Sequence, residues 1–223
     1  MSIPRTICKR ASGPIRVDGR LYEASWGRAE ALRLRLADTG GSPRCATEAR
    51  LLWDDDYLYV GFQAEDPDIF ATMRERDAEL WHEDVVEVFI DANGSGCGYH
   101  EFEFNPLGAV LDLFVMTRER TQEYNLWFGW NSDDLKHAVV VDGTVEDRTD
   151  VDRSWTVEAA IPLKDILTAP NFPPKEGDVW RVNLYRIERG KGGKEYSAWS
   201  PPGENNFNHP SKFGELVFSM EKV

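Results

Sequence analysis

Cysteine, histidine and long apolar runs are scarce in this sequence, and each scarcity excludes a class of protein. The 223 residues contain three cysteines, Cys8, Cys45 and Cys97, and no C-x-x-C pair of the kind used for zinc or redox chemistry. Three cysteines allow either one disulfide with a free thiol or, more simply, three buried thiols. The sequence therefore excludes a disulfide-stapled scaffold.

Metal-ligand, membrane and phosphate motifs are also missing. The four histidines have no zinc-type spacing: His82, His100, His137 and His209. No stretch approaches the ~20 apolar residues of a membrane span. The N-terminal segment MSIPRTICKRASG lacks the apolar core of a signal peptide, which predicts a cytoplasmic protein or a secreted one whose signal was removed. Neither a glycine-rich phosphate loop nor a G-x-S-x-G nucleophile elbow is present.

Positive charge is the next deficit. Lysine and arginine number 26 against 39 aspartates and glutamates, which leaves a formal net charge of -13. An acidic surface repels phosphate backbones, so we expect neither nucleic acid nor an anionic membrane as a partner. The same field suits divalent cations and neutral polar ligands such as sugars.

Aromatic residues and strand-length apolar runs are plentiful. Hydrophobic residues make up 41% and aromatic residues 12%, including eight tryptophans, which is enough for a sizeable core. Residues 46–53 and 57–64 read as a hairpin around Asp54-Asp55-Asp56, because apolar side chains alternate along the returning strand. One buried face and one partly wet face are typical of an antiparallel sandwich strand.

Further strand-length runs follow at regular spacing. They are residues 84–91, 99–105, 109–116, 124–130, 137–146, 154–161, 178–188, 194–199 and 213–220. The run at 109–116 reads as a strand buried on both faces. Helical signal is confined to short stretches at 74–81 and 163–167. We predict one all-β domain over residues 1–223, an antiparallel β-sandwich of two sheets with about ten strands and minimal helix.

Several motifs, taken in order, resemble the family 9 carbohydrate-binding modules. They are Val17-Asp18-Gly19, Trp26, Leu51-Leu52-Trp53-Asp54-Asp55, Leu80-Trp81-His82-Glu83-Asp84-Val85-Val86-Glu87-Val88-Phe89-Ile90-Asp91, Trp155-Thr156-Val157-Glu158, Ser197-Ala198-Trp199-Ser200 and Asn205-Asn206-Phe207-Asn208. The resemblance covers residues 15–218 and is to free-standing bacterial domains rather than to modules attached to a xylanase. It implies a two-sheet antiparallel sandwich, bound calcium, and a slot that holds a sugar between two aromatic rings.

The resemblance also assigns candidate binding residues. The first ring of the slot falls on Trp81, and the second, usually a tryptophan in the family, falls on Phe207. An aromatic face offers an apolar platform to the C–H face of a pyranose. The family's hydroxyl-binding acid falls on Glu87, and Glu103 stands where the sugar-binding branch has a basic residue.

Three more residues complete the predicted ligand set. Asn205 and Asn206 are candidate donors to sugar oxygens, and Trp199 is a candidate lining residue with an equally good structural alternative. Trp127 and Trp130 fit either a second flat sugar surface or alternating core positions. The acidic strand and loop ends, such as Glu65-Asp66-Pro67-Asp68 and Glu83-Asp84, agree with the calcium that the resemblance implies.

Two other functions compete with saccharide binding. A glycoside hydrolase could use Glu87 and Glu103 as its carboxylate pair, since such enzymes place two carboxyl groups at a defined separation. A haem domain could use Met116 as a ligand, although no histidine or haem-attachment motif accompanies it. We predict a non-catalytic carbohydrate-binding domain, with the hydrolase as the alternative.

Overall fold

The computed structural model describes residues 3–118, 121 and 123–223. The strands in this part of the chain are β1 (Arg5–Arg10), β2 (Leu32–Arg33), β3 (Arg35–Leu36), β4 (Thr47–Trp53), β5 (Tyr57–Glu65), β6 (Val85–Asp91), β7 (Gly98–Phe104), β8 (Val110–Arg118), β9 (Glu123–Trp127), β10 (Lys136–Asp142), β11 (Ser154–Pro162), β12 (Val179–Glu188), β13 (Glu195–Ala198) and β14 (Gly214–Lys222). The helical residues described form four 3-10 turns, at Trp26–Arg28, Leu80–His82, Leu163–Asp165 and Pro210–Lys212. The all-β prediction is confirmed.

The first hairpin forms where the sequence predicts it. Strands β4 and β5 pair antiparallel with Leu51 opposite Val60. At the turn, Oδ1 of Asp54 accepts hydrogen bonds from the backbone N–H groups of Asp56 and Tyr57, both at 2.9 Å. A side chain that accepts hydrogen bonds from the backbone of its own turn explains why an aspartate stands at position 54.

Hydrogen-bonded pairing is continuous from one side of the molecule to the other. The strand order is β10-β11-β5-β4-β1-β14-β12-β6-β7-β8-β9. Strand β1, which the sequence analysis missed, runs parallel to both β14 and β4. The sandwich therefore has more strands than the ten predicted, and it is mixed rather than wholly antiparallel. The strands that the sequence did not predict are β1, β2 and β3. Strands β2 and β3 have two residues each, which is too short for a periodic signal.

The main core lies between the two layers of strands. Apolar side chains of β4, β5 and β11 meet those of β6, β7 and β12 in one buried cluster. On β6 the inward residues are Val86, Val88 and Ile90, which confirms the alternation read from the sequence. Two facing apolar surfaces of this kind are what hold a sandwich together.

A second apolar cluster covers the opposite face of the β6, β7 and β12 layer. Phe89, Tyr99 and Tyr185 point to this side, and Phe213 and Phe207 pack over them from the C-terminal segment. These three strands are thus buried on both faces. The candidate functional site lies at the edge of this second cluster.

Three local predictions differ from the structure. The stretch 74–81 is helical only at its end, in the turn Leu80–His82, and 163–167 only at Leu163–Asp165. Cys8 and Cys45 are buried thiols, but Cys97 is exposed, because it lies in the turn between β6 and β7.

None of the helices in the described part of the chain has the length and apolar character to cross a membrane.

Candidate functional site

A cavity of about 260 Å³ opens on the second face of the β6–β7 pair. Six of the seven predicted ligand-binding residues line it: Trp81, Glu87, Glu103, Asn205, Asn206 and Phe207. They come from three distant segments of the chain, which the β6–β7 pairing and the loop after β13 bring together. The structure therefore brings six of the predicted residues together around one opening.

Trp81 reaches the cavity from the 3-10 turn Leu80–His82, directly before β6. Leu80 is fully buried and anchors the turn, whereas the side chain of Trp81 is only partly buried. Arg189 holds the turn in place, because its Nη2 donates a hydrogen bond to the carbonyl oxygen of Trp81 at 2.6 Å. The indole is thus presented to the cavity by a fixed backbone.

Phe207 is held more tightly than a ligand-facing ring alone would be. Only 7% of its surface is exposed. Its ring stacks on Tyr185 with centroids 4.0 Å apart and meets the edge of Tyr196 at 5.9 Å. One face of the phenyl ring is therefore occupied by protein, and Phe207 both supports the second cluster and borders the cavity.

The acidic end of the cavity is built by strand register. Glu87 on β6 lies directly opposite Glu103 on β7. Glu101 precedes Glu103 by two residues and therefore lies on the same face of β7. Carboxylate oxygens of these three residues lie within 4.8 Å of one another. The side chains are buried, with exposed fractions of 2%, 1% and 5% for Glu87, Glu103 and Glu101.

Burial dominates the electrostatics of these acids. It raises the pKa of Glu101 to about 7. Burial and the Glu101 carboxylate raise the pKa of Glu87 well above its ordinary value, while the charge of Arg189 acts in the opposite direction. Burial, Glu87 and Glu101 together raise the pKa of Glu103 in the same way. A positive charge bound here would favour the ionised carboxylates and lower these pKa values.

The polar rim of the cavity comes from the loop before β14. Asn205 is exposed and Asn206 is partly buried. The side-chain oxygen of Asn206 accepts a hydrogen bond from the backbone N–H of Asn208 at 3.1 Å, which leaves its amide hydrogens for a ligand. Asn208 in turn accepts a hydrogen bond from the hydroxyl of Tyr99. The rim thus offers amide donors at fixed positions.

Trp199 does not line this cavity, contrary to the sequence-based assignment. Its ring belongs to the main core between the sheets and is 8% exposed. It packs so closely on the backbone of Gly214 that any side chain there would overlap the indole. A glycine at the start of β14 makes room for this ring, so Trp199 is structural.

Three other aromatic or sulfur-containing candidates also lie outside the site. Trp130 is 7% exposed and belongs to the main core, whereas Trp127 is 47% exposed at the end of β9. Met116, the candidate haem ligand, is 47% exposed, and its paired neighbours on adjacent strands are Gly98 and Asn125. Neither neighbour is a haem ligand.

Sequence reasoning missed several lining residues. Glu101, Tyr124, Leu126, Tyr196 and Asn208 all border the cavity. Glu101 could have been found, because it is two residues from Glu103 on a predicted strand and must share its face. Tyr124 and Tyr196 carried no such signal, since only the folding of β9 and β13 against this face brings them near.

A second buried acidic cluster lies at the ends of β5 and β12 and the start of β6. Carboxylate oxygens of Asp66, Asp84 and Glu188 also lie within 4.8 Å of one another. Here a buried guanidinium accompanies them: Arg186 donates to Asp66 at 3.0 Å and pairs with Glu188. Burial nevertheless raises the pKa of Asp84 to about 8.

A larger cavity lies elsewhere and offers less chemistry. It measures about 640 Å³ and lies beside β2, β4 and β5. Two of its charged side chains compensate each other, since Arg33 lies 3.7 Å from Glu48. Because the unpaired acids and the aromatic rings meet at the smaller cavity, we take that cavity as the candidate site.

A β-sandwich with a slot lined by aromatic rings and carboxylates on one sheet face is compatible with a carbohydrate-binding module. The family model described as "Carbohydrate family 9 binding domain-like" matches residues 17–220. The chain belongs to this family.

Similar proteins include xylanases. The chain is 29% identical over 203 residues to endo-1,4-beta-xylanase A of Thermotoga maritima, a match that covers 90% of this chain and 16% of that enzyme. It is 28% identical over 216 residues to endo-1,4-beta-xylanase C of Paenibacillus barcinonensis, with the same coverage. The chain thus spans 16% of the length of these curated relatives. The sequence motifs predicted a likeness to free-standing domains, and the chain is also similar to part of these xylanases.

Two solved structures share the fold. One is a family 9 carbohydrate-binding module of Caldicellulosiruptor kristjanssonii in complex with cellotriose, at 17% identity and a TM-score of 0.65, covering 97% of this chain and 94% of that one. The other is a Bacteroides uniformis protein proposed to bind carbohydrate, at 16% identity and a TM-score of 0.75, covering 98% and 100%. At these identities the likeness shows the fold alone.

Proposed function

We propose that the cavity bordered by Trp81 and Phe207 binds the terminal sugar of a neutral glycan without chemical change. The observation that carries this proposal is the meeting of two aromatic rings, two asparagines and the acidic cluster in one opening. Aromatic faces accept the apolar face of a pyranose while polar groups at the rim take its hydroxyls.

The size of the cavity favours one sugar ring over an extended chain. Its volume of about 260 Å³ lies just below the ~300–1,000 Å³ of pockets that hold drug-sized ligands. Family members from Caldicellulosiruptor kristjanssonii form complexes with cellotriose and with glucose. Glucose, xylose and their short β-1,4-linked oligomers are therefore the first ligands to test.

A hydrolase mechanism is disfavoured by the acids themselves. Glycoside hydrolysis needs one protonated and one ionised carboxyl group, so the environments of the two must push their pKa values apart. In this cluster, burial raises the pKa of Glu87 and of Glu103 in the same direction. The matched family model is also a binding domain rather than a catalytic one. Purified protein should therefore release no aglycone from aryl glycosides, and turnover that disappears in Glu87→Gln would reverse this conclusion.

Calorimetric titration tests the binding proposal directly. Glucose, xylose, cellotriose and xylotriose are titrated in a calcium-containing buffer, with a glycan array to widen the search. We expect millimolar to micromolar affinity for at least one ligand, with the oligosaccharide bound through its end. Failure of every neutral saccharide on the array and in the calorimeter would contradict the proposal.

We also propose that Asp66, Asp84 and Glu188 hold a structural calcium ion. Five of the six carboxylate oxygens in this set accept a single hydrogen bond each. They are Oδ1 of Asp66 and both oxygens of Asp84 and of Glu188. A carboxylate oxygen has two acceptor positions, so the set can take up an ion. A bound ion would join the ends of three strands and offset their negative charge.

Chelation tests the calcium proposal. An ion that binds only the folded protein stabilises it by mass action, so exhaustive chelation should lower the melting temperature and added calcium should restore it. An unchanged melting temperature, together with no calcium by elemental analysis, would contradict the proposal.

A further inference from the structure

The three acids at this end of the cavity differ from the other buried acids described, in that each has one buried carboxylate oxygen without a hydrogen-bond donor. Oε1 of Glu87, Oε2 of Glu101 and Oε2 of Glu103 are each buried without a partner among the described residues. In the Asp66–Asp84–Glu188 cluster, by contrast, backbone N–H groups and Arg186 serve the carboxylates. A buried, unpartnered carboxylate is costly, and three that meet at one point are costlier still.

The charge balance of this cluster shows what is missing. The positive charge that acts on Glu87 is that of Arg189. The Arg189 side chain donates to the carbonyl of Trp81, and its guanidinium carbon lies 5.4 Å from the centre of the Tyr196 ring. When all three carboxylates are ionised, as they would be around a bound cation, they and one guanidinium leave two negative charges. A divalent cation matches this number, whereas a single ammonium group would leave one charge uncompensated.

The geometry suits a single ion. Calcium binds oxygen at ~2.3–2.6 Å, so oxygens on opposite sides of it are ~4.6–5.2 Å apart. The three carboxylates bring oxygens within 4.8 Å of one another. The described lining contains no cysteine or histidine, so the donor set consists of oxygen and selects a hard cation.

We propose that Glu87, Glu101 and Glu103 bind one divalent cation of the calcium type, and that this ion also coordinates hydroxyl groups of the saccharide. The first part stands on the cluster alone, and the second rests on the proposed function of the cavity. Three protein carboxylates leave part of a calcium coordination sphere open. All three carboxylates border the cavity, so adjacent hydroxyls of a sugar between Trp81 and Phe207 could complete that sphere.

Metal titration with a matched variant tests the ion site without any sugar. Chelator-treated wild-type protein and Glu101→Gln/Glu103→Gln are titrated with calcium chloride in the calorimeter, and bound calcium is counted by elemental analysis. We expect wild type to bind about one equivalent more than the variant. A site at Asp66, Asp84 and Glu188 would persist in both proteins and cancel in the difference. Equal stoichiometry would overturn the ion site.

The variant is chosen so that misfolding cannot imitate loss of the ion. Glutamine keeps the shape of glutamate and removes buried like charges, so the metal-free variant should melt at or above the temperature of metal-free wild type. Calcium should then raise the melting temperature of wild type by more than that of the variant. An equal rise in both proteins would count against the site.

Sugar titrations separate the two parts of the proposal. With the best neutral saccharide found, chelation should weaken wild-type binding roughly tenfold or more, while Glu103→Lys, which carries its own positive charge, should bind in a metal-independent manner. Metal-independent sugar binding by wild type would overturn the coordination of hydroxyls by the ion. If no sugar binds with calcium present, the proposed function fails while the metal stoichiometry still decides the ion site.

A third titration examines an organic cation as the alternative occupant. Glucosamine is added to metal-free wild type in place of glucose. We expect both sugars to bind weakly and with similar affinity until calcium is supplied. Binding of glucosamine but not glucose, in a protein that takes up no extra calcium, would overturn the ion site and assign the carboxylates to an ammonium group.

Discussion

The ring of Tyr185 lies flat against the ring of Phe207, with centroids 4.0 Å apart and 14° between the planes. The Tyr185 hydroxyl also donates a hydrogen bond to the carbonyl oxygen of Phe207 at 3.2 Å. These contacts tie the loop before β14 to the sheet. They make Phe207 a structural residue as well as a border of the cavity. Its substitution should therefore lower the stability of the protein as well as its affinity for a ligand.

Phe207→Ala should lower the free energy of unfolding by about 3 kcal/mol, because it removes a buried ring and leaves a cavity beside Tyr185. Phe207→Trp should also destabilise, since the packed site must expand to hold a larger ring. Urea denaturation measures both effects. The control is Phe172→Ala, because Phe172 is 59% exposed and should be replaceable with little effect. A loss of stability in the control equal to that of Phe207→Ala would refute this account.

Trp81→Ala should weaken saccharide affinity roughly ten- to a hundredfold, in the range of a central aromatic anchor, with little change in melting temperature. The reason is that the indole is only partly buried and faces the cavity. Calorimetry and thermal melting measure the two effects. Trp127→Ala is the matched control, because this tryptophan is 47% exposed and lies outside the cavity. If Trp127→Ala loses affinity and Trp81→Ala keeps it, the ligand surface has been misplaced.

Arg186→Met should destabilise the protein by about 3–5 kcal/mol, because it leaves buried carboxylates without their cation. Arg186 also donates to the hydroxyl of Thr47 at 3.0 Å and to the carbonyl of Glu65 at 2.7 Å. Calcium should recover part of the loss, since an ion at Asp66 would replace the missing charge. Chemical denaturation with and without calcium provides the measurement.

The exposed pair of Arg153 and Asp142 supplies the control for Arg186. Its side chains are 78% and 53% exposed, so water already screens the charges. Arg153→Met should leave the denaturation midpoint close to that of wild type, with no response to calcium beyond that of wild type. A midpoint for Arg186→Met equal to that of Arg153→Met would show that the buried guanidinium is dispensable.

Only one thiol should react quickly in the folded protein. Burial raises the pKa of Cys45 to about 12 and that of Cys8 further, so neither forms the reactive thiolate at neutral pH. Cys97 is exposed. Titration with a disulfide reagent should count one thiol in native buffer and three in denaturant. A native count of three, or no increase on unfolding, would contradict these assignments.

Much of the layered fold follows from local sequence patterns. Alternation along β5 and β6 assigns each side chain to a face, and the aspartates between β4 and β5 mark a turn. Trp81 and Glu87 are close in the chain, and Glu103 lies on the next strand, so their meeting could also be anticipated. Such inferences succeed because the period of a strand and the chemistry of a turn depend on neighbouring residues.

Tertiary structure decided the rest. Parallel pairing of β1 with β14 joins the two ends of the chain, so no local pattern could reveal it. The same holds for Trp199, which packs on Gly214 rather than on the cavity, and for Phe207, whose ring is covered by Tyr185. The aromatic and acidic residues that could bind a ligand were visible in the sequence. Which rings are committed to the core, and which acids are left without donors, depends on contacts between distant segments, because burial and charge balance are properties of the folded surroundings.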